Sequence, residues 1–190
     1  MNPVVEAWVV IEKLGALVAT PGISEDVKTL ANEEIAKLIQ RLNEQNNNGT
    51  TPVCTAAQNG YTNTIRVLKE LGADVNTPRN DDATPVFIAA AKGHTNIIGM
   101  LAEFGADVNT SNNNGATPVW IAAHNGHTNT IRVLANLGAN VKTPRKGVPW
   151  YDTSSSPVFT ATFNGHADTA RVLRELGANL SCFERIILCV

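Results

Sequence analysis

The sequence predicts an all-α solenoid, a stack of similar turn-helix-helix units with a helical cap at its start. Three observations predict it. A segment beginning TPVCTAAQNGYTNTIRVLKELGADVN at Thr51 returns at Thr84, at Thr117 and, with Ser for Thr, at Ser156. The Gly-Ala pair near the end of each copy keeps the same step, at Gly72, Gly105, Gly138 and Gly177. The steps are 33, 33 and 39 residues, so the unit is 33 residues long with six inserted once. A fixed period of this length marks stacked repeats, each of which buries its apolar face only against its neighbours.

Residues 1–45 precede the clear copies. Asn2 and Pro3 suit the N-cap and first position of a helix running to about Leu14, with Val4, Trp8 and Ile11 forming a wide apolar surface that needs a cover. After Gly15 and the breaker Thr20-Pro21-Gly22, Ser24 caps a second helix. Glu25 and Asp26 fall in its first turn, where carboxylates complement the helix dipole. Val27, Leu30, Ile35, Leu38 and Leu42 give its buried stripe. The segment reads as an N-terminal helical cap shielding the open end of the stack. The alternative is a degenerate repeat, because Leu14-Gly15-Ala16 followed by Thr20-Pro21 has the spacing of Leu71-Gly72-Ala73 followed by Thr77-Pro78.

The third copy shows how each unit is built. Thr117 before Pro118 makes an N-cap and a first helical residue, since the first amides of a helix lack internal partners and Pro has none to offer. Val119, Ala122 and Ala123 share one face, and Asn125-Gly126 supplies left-handed conformations that end the helix after about two turns. From His127 to Leu137, Ile131, Val133, Leu134 and Leu137 fall at helical spacing, and Gly138 closes this second helix. Small Ala residues on the first helix let the two axes approach and keep the unit thin enough to stack.

This pattern resembles the ankyrin repeat, whose T-P-L-H-x-A signature and 33-residue period it shares over residues 46–181. On that reading the repeats span 46–78, 79–111, 112–144 and 145–183, the last with the six-residue insertion, and 184–190 is a C-terminal tail. The resemblance implies a curved stack whose hairpin fingers and first helices form a concave binding face. It also implies the contact positions: Asn47, Asn48, Thr50, Gln58 and Asn59 in the first unit; Asn80, Asp81, Ala83, Ala91 and Lys92 in the second. In the third they are Asn113, Asn114, Ala116, His124 and Asn125, and in the fourth Phe163 and Asn164. This face is amide-rich and nearly neutral, which suits a partner read by hydrogen bonds and a few apolar anchors. Some of these Asn residues, Asn47 and Asn113 among them, are equally explained as turn formers.

The chain departs from the family pattern twice. Cys54, Phe87, Trp120 and Phe159 stand where the signature has His, so an aromatic packing ladder is expected in place of a hydrogen bond between repeats. The late apolar residue of the second helix is Leu71, Phe104, Leu137 or Leu176, directly before Gly, with Lys69, Ala102, Ala135 and Arg174 where an aliphatic is more usual.

Composition fits an interaction module and excludes several other classes. The chain is 43% hydrophobic and 17% charged with a formal charge of −2, which gives no overall electrostatic reason to bind nucleic acid or an anionic membrane. Cys54, Cys182 and Cys189 have no metal spacing and form no disulfide framework, so a reducing cytoplasmic setting is expected. Glu6 and Glu12 interrupt the N-terminal apolar run, which argues against a signal peptide, and no apolar run reaches membrane-spanning length. His94, His127 and His166 recur at one repeat position and read as loop hydrogen bonders, because equivalent positions about 10 Å apart cannot share a zinc ion whose ligands lie about 2 Å away. His124 stands apart as a contact residue at the end of a first helix. Ser154, Ser155 and Ser156 form no nucleophile elbow, and Asp81-Asp82 reads as a turn in which Asp replaces Gly. The expectation is no catalytic residue, no cofactor and no metal.

The insertion breaks the period between Thr143-Pro144 and Ser156-Pro157, where the chain reads RKGVPWYDTSSS. Insertions in repeat proteins project from one face, often the binding face. Trp150 and Tyr151 either pack on the neighbouring finger or contact a partner. The last residues, with Phe183, Ile186, Ile187 and Leu188, read as a short helix or tail across the end of the stack. The function expected is non-enzymatic binding of a protein partner by a monomer. The alternatives are a targeting or regulatory module of a larger enzyme and a self-assembling scaffold.

Overall fold

The computed structural model describes residues 20–46, 49–145 and 156–181. Among them every regular element is a helix, nine in all. They are α1 (Glu25–Asn43), α2 (Pro52–Asn59), α3 (Thr62–Glu70), α4 (Pro85–Lys92), α5 (Thr95–Glu103), α6 (Pro118–His124), α7 (Thr128–Asn136), α8 (Pro157–Phe163) and α9 (Ala167–Glu175). The pairs α2/α3, α4/α5, α6/α7 and α8/α9 are the four units.

Each first helix starts as its Thr-Pro or Ser-Pro pair dictates. The hydroxyls of Thr51, Thr84, Thr117 and Ser156 accept the backbone N–H of Cys54, Phe87, Trp120 and Phe159 at 3.1 to 3.2 Å. A cap of this kind contributes about 1 kcal/mol. These helices end on glycine in the left-handed region, at Gly60 (φ 79°), Gly93 (φ 75°), Gly126 (φ 73°) and Gly165 (φ 78°). Asn125 itself keeps φ −95°, so the left-handed turn expected of Asn125-Gly126 is carried by the glycine alone. The second helix of the third unit begins at Thr128, with His127 at its N-cap position and no side-chain cap bond.

The core is one continuous strip. Ala56, Ala57, Ala89, Ala90, Ala122, Ala123 and Ala161 of the first helices are buried with Ile65, Leu68, Ile97, Ile98, Leu101, Ile131, Leu134, Val172 and Leu173 of the second. First helices pack closely one on the next, whereas successive second helices touch less. The alanine row therefore lies on the inside of the bend and the second helices on the outside.

Two ladders of hydrogen bonds join unit to unit. On the finger side, Asn43, Asn76 and Asn109 each offer Oδ1 to a backbone N–H in the following unit, at Asp74 (2.7 Å), Asp107 (3.3 Å) and Asn140 (2.8 Å). At the opposite end, His94 Nε2 donates to the carbonyl of Gln58 (3.3 Å), His127 Nε2 to that of Ala91 (3.1 Å) and His166 Nε2 to that of His124 (3.0 Å). A carbonyl only accepts, so in each ring Nε2 carries the proton. The recurring histidines thus join repeats, where the sequence reading gave them a local role in their own loops.

Three other expectations are corrected. Among the described residues the aromatic side chains at the signature position stack on no ring of a neighbouring repeat. Trp120 stacks on His124 (centroids 5.3 Å apart) and Phe159 on Phe163 (5.8 Å), each inside its own helix. Residues four apart on a helix are one turn apart, which suits ring stacking, whereas neighbouring helix axes are roughly 8 to 10 Å apart. In α1, Val27 and Leu30 are exposed, and Ala31 turns inward in their place. This helix is tethered through its C-terminal end, where Asn43 caps Asp74 and Gln45 Nε2 just beyond donates to the carbonyl of Pro78 at 2.8 Å. The side chains of Ile35, Leu38 and Leu42, the helix expected from Asn2 to about Leu14 and the tail with Ile187 lie outside the described residues. Ala83 and Ala116, expected at the contact surface, are buried at the base of their fingers.

Candidate protein-binding face

The fingers are tight turns. Backbone pairs Asn46/Thr50, Arg79/Ala83 and Asn112/Ala116 close them at 2.9 to 3.0 Å, with Gly49, Asp82 and Gly115 at the left-handed tip position. Asp82 holds φ 59° there, so the expected Asp-for-Gly exchange is real, and Asp tolerates this conformation better than most residues. Successive fingers touch: Asn113 N–H donates to the carbonyl of Asp81 (3.0 Å), and a side chain added at Gly49 would collide with that of Asn80.

Not all of the expected contact residues are equally available. Thr50 and Asp81 are half-buried. Asp81 is committed to its own finger, where Arg79 grips its carboxylate and Ala83 N–H donates to Oδ1 at 3.3 Å. The Arg79 hydrogen bond holds the Asp81 carboxyl below the usual carboxylate range. Asn80 and Asn114 are exposed on their fingers. Asn48, Trp150 and Tyr151 lie outside the described residues.

The ends of the first helices form the more distinctive part. Equivalent positions place Gln58, Ala91, His124 and Phe163 in one row and Asn59, Lys92, Asn125 and Asn164 in the row beside it. All are exposed except Ala91, which is half-buried. Asn125 and Asn164 use their amides as struts. Asn125 Nδ2 donates to the carbonyl of Ala91 at 2.8 Å, and Asn164 Nδ2 lies 3.0 Å from the carbonyl of His124 and 3.1 Å from its Nδ1. With Nδ1 accepting, the neutral His124 ring carries its proton on Nε2, as an available donor. The ring is braced by Trp120, which also lies 5.1 Å beneath the guanidinium carbon of Arg145. Arg145 Nε donates to the carbonyl of Asn114 at 3.0 Å, tying the chain after the third unit to the third finger. Phe163 stays 65% exposed while stacked on Phe159.

Sequence reasoning missed two residues here. One is Arg145, whose cation–π contact has no local signal because Trp120 lies 25 positions earlier. Tyr61, 58% exposed, occupies in the first unit the position that is His in the other three, a difference that was legible in the register.

Burial pushes the Cys54 thiol up, away from nucleophilic use, and Sγ lies 3.6 Å from the carbonyl of Thr77. Among the described residues no group of three or more His, Cys, Asp or Glu side chains is placed to hold a metal ion, and no helix is long and apolar enough to cross a membrane. Among protein families, the one described as ankyrin repeats (3 copies) matches residues 19–112 and again 101–183. No curated protein matches the chain.

Proposed function

The chain belongs to the ankyrin-repeat family, and on that premise we propose that it is a non-enzymatic module that binds a partner protein through the face made by its first helices and fingers. One observation carries the reading. Phe163 stands 65% exposed at the end of a first helix, propped by Phe159 and directly beside the His124–Asn164 bridge. A large apolar side chain held rigid in water beside an oriented donor has the makeup of an interface hot spot, which pairs an aromatic anchor with a few fixed polar groups. The second helices, with their exposed Arg–Glu and Arg–Asp pairs, present an ordinary solvated surface on the opposite side, in keeping with a monomer. A cytoplasmic setting belongs to the same reading, because Cys54 is a buried free thiol.

The test compares the intact protein with Phe163→Ala and His124→Ala as baits in quantitative affinity capture, followed by titration of any protein recovered. A partner retained by the parent chain should bind the Phe163 variant about thirtyfold more weakly, corresponding to the roughly 2 kcal/mol that defines a hot spot. The melting midpoint should move little, since Phe163 is mostly outside the core. Identical capture by all three proteins would refute the assignment of this face.

A further inference from the structure

The charges of this molecule are segregated by layer. The four first helices, α2, α4, α6 and α8, contain no Asp or Glu at all, and their exposed ends carry Lys92 and His124. The carboxylates Glu70, Glu103, Asp168 and Glu175 are on second helices, in a chain whose formal charge is −2. In the fingers Asp81 is neutralised by Arg79 and Asp82 stands exposed at its tip, while Arg145 adds a half-buried cation over Trp120. An acidic protein thus keeps carboxylates off one helical layer and leaves there a lysine, an oriented imidazole donor and an exposed phenylalanine.

Resting on the reading that this face binds a protein, we propose that it takes an extended peptide segment carrying a carboxylate side chain and, about three residues away, a large apolar side chain. The Nε2–H of His124 receives the carboxylate, Lys92 one unit away attracts it by charge, and Phe163 receives the apolar group. The spacing follows from the stack. Lys92, His124 and Phe163 belong to consecutive units, neighbouring packed helices lie roughly 8 to 10 Å apart, and an extended chain advances about 3.3 Å per residue. One unit therefore corresponds to about three peptide residues. The polarity of the site is set by its parts. Asn164 keeps the His124 donor outward and Phe159 keeps Phe163 upright, so neither side chain must be ordered on binding.

The probe is a random twelve-residue peptide library displayed on phage and selected on the intact protein, followed by fluorescence anisotropy with synthetic versions of the enriched peptides. The expected enrichment is Asp or Glu about three positions from Leu, Ile, Met or Phe. Replacing the acidic residue by its amide should weaken binding up to about fivefold, the upper range for an exposed ion pair. Lys92→Gln, which leaves the helix end neutral, should do the same and reduce the salt dependence. Phe163→Ala should weaken the same peptides more strongly. Peptides that need Phe163 but are indifferent to their own carboxylate and to Lys92 would overturn this inference while leaving the binding face in place. Peptides indifferent to Lys92, His124 and Phe163 alike would overturn the face as well. No enrichment over resin without protein would overturn the claim that a linear segment is read.

Discussion

Four glycines with the same backbone conformation should respond to alanine in a graded order, because what stands over them differs. Gly60, Gly93, Gly126 and Gly138 have φ of 79°, 75°, 73° and 85°. The left-handed penalty for an L-residue, about 1 to 2 kcal/mol, is thus common to all four. A Cβ at Gly138 meets nothing within 4 Å. At Gly60 it comes 3.3 Å from His94 Cε1, at Gly93 3.0 Å from His127 Nδ1, and at Gly126 2.6 Å from His166 Nδ1 and 2.8 Å from its Cγ. In the last case the ring must move from its base, and with it goes the Nε2–H bond to the carbonyl of His124, contributing about 0.5 to 1.5 kcal/mol. Gly126→Ala should therefore cost about 1.5 to 3.5 kcal/mol, against about 1 to 2 for Gly138→Ala. In a chain of this size the larger loss lowers the melting midpoint by roughly 3 to 14 °C. Urea unfolding followed by circular dichroism should give the order Gly126, Gly93, Gly60, Gly138 from largest cost to smallest. The decisive control is His166→Ala, in whose background Gly126→Ala should fall to the Gly138 value. Equal costs at all four positions, or no relief from removing the ring, would refute the idea that these histidines lock unit to unit across the glycines.

Thr117→Ala removes the acceptor of the Trp120 amide and should cost about 1 kcal/mol, with faster hydrogen exchange of that amide as the local readout. Cys54, buried and free, should resist alkylation by N-ethylmaleimide in a chain whose Cys182 and Cys189 are replaced by Ser, and urea should accelerate the reaction; prompt labelling of the folded protein would contradict the burial of the first unit. The Asp81 carboxyl is depressed by the hydrogen bond from Arg79, so its contribution to stability is present above the unfolded value of about 3.9 and is lost as pH falls through the lower folded value. Both side chains are about one-third exposed, so solvent screening keeps that contribution under about 1 kcal/mol. Asp81→Asn should abolish this part of the acid sensitivity, seen by comparing urea midpoints at neutral pH and below about pH 4.

The stack was legible because its determinants are local. Thr-Pro pairs, paired alanines and glycines at fixed steps fix where each helix begins and ends, and short helices with small faces have few ways to pack. What crosses between units was less legible. The partner of His127 is a carbonyl 36 positions earlier, and nothing at His127 itself distinguishes that bond from one in its own loop. The rings at the signature position were assigned to the wrong direction for a related reason: their sequence period matches the stacking axis, but a stacking distance is reached only within a helix turn. Ala83 and Ala116 were placed on the contact surface by analogy of position, and the finger folds over them. In α1, periodicity marked an apolar stripe, but Val27 and Leu30 face outward because neighbouring structure, not spacing, decides which face is covered. For the proposed binding face, the states of the side chains were not legible. Asn125 and Asn164 read as contact residues, yet their amides are engaged in bonds that hold Ala91 and His124.

The insertion shows how scaffold and surface are separated in this chain. The bond from His127 to the carbonyl of Ala91 spans 36 residues, and the equivalent bond from His166 to the carbonyl of His124 spans 42, longer by the six inserted residues. Asn125 and Asn164 repeat the relation, at 34 and 40 residues. Past the insertion the helix pair is therefore seated as an uninterrupted 33-residue period would seat it, and the extra length is taken up before Ser156. Register along the groove is preserved: Phe163 falls in the same row as His124, Ala91 and Gln58. A finger can thus be lengthened without disturbing the row, and a side chain in the row can change without disturbing the carbonyl beneath it, because the bonds that hold the units are made by His, Asn and main chain. The helix-end position that carries Gln58, Ala91, His124 and Phe163 is free to vary for this reason. Its backbone does the structural task, and on the proposed function its side chain is left to meet a partner.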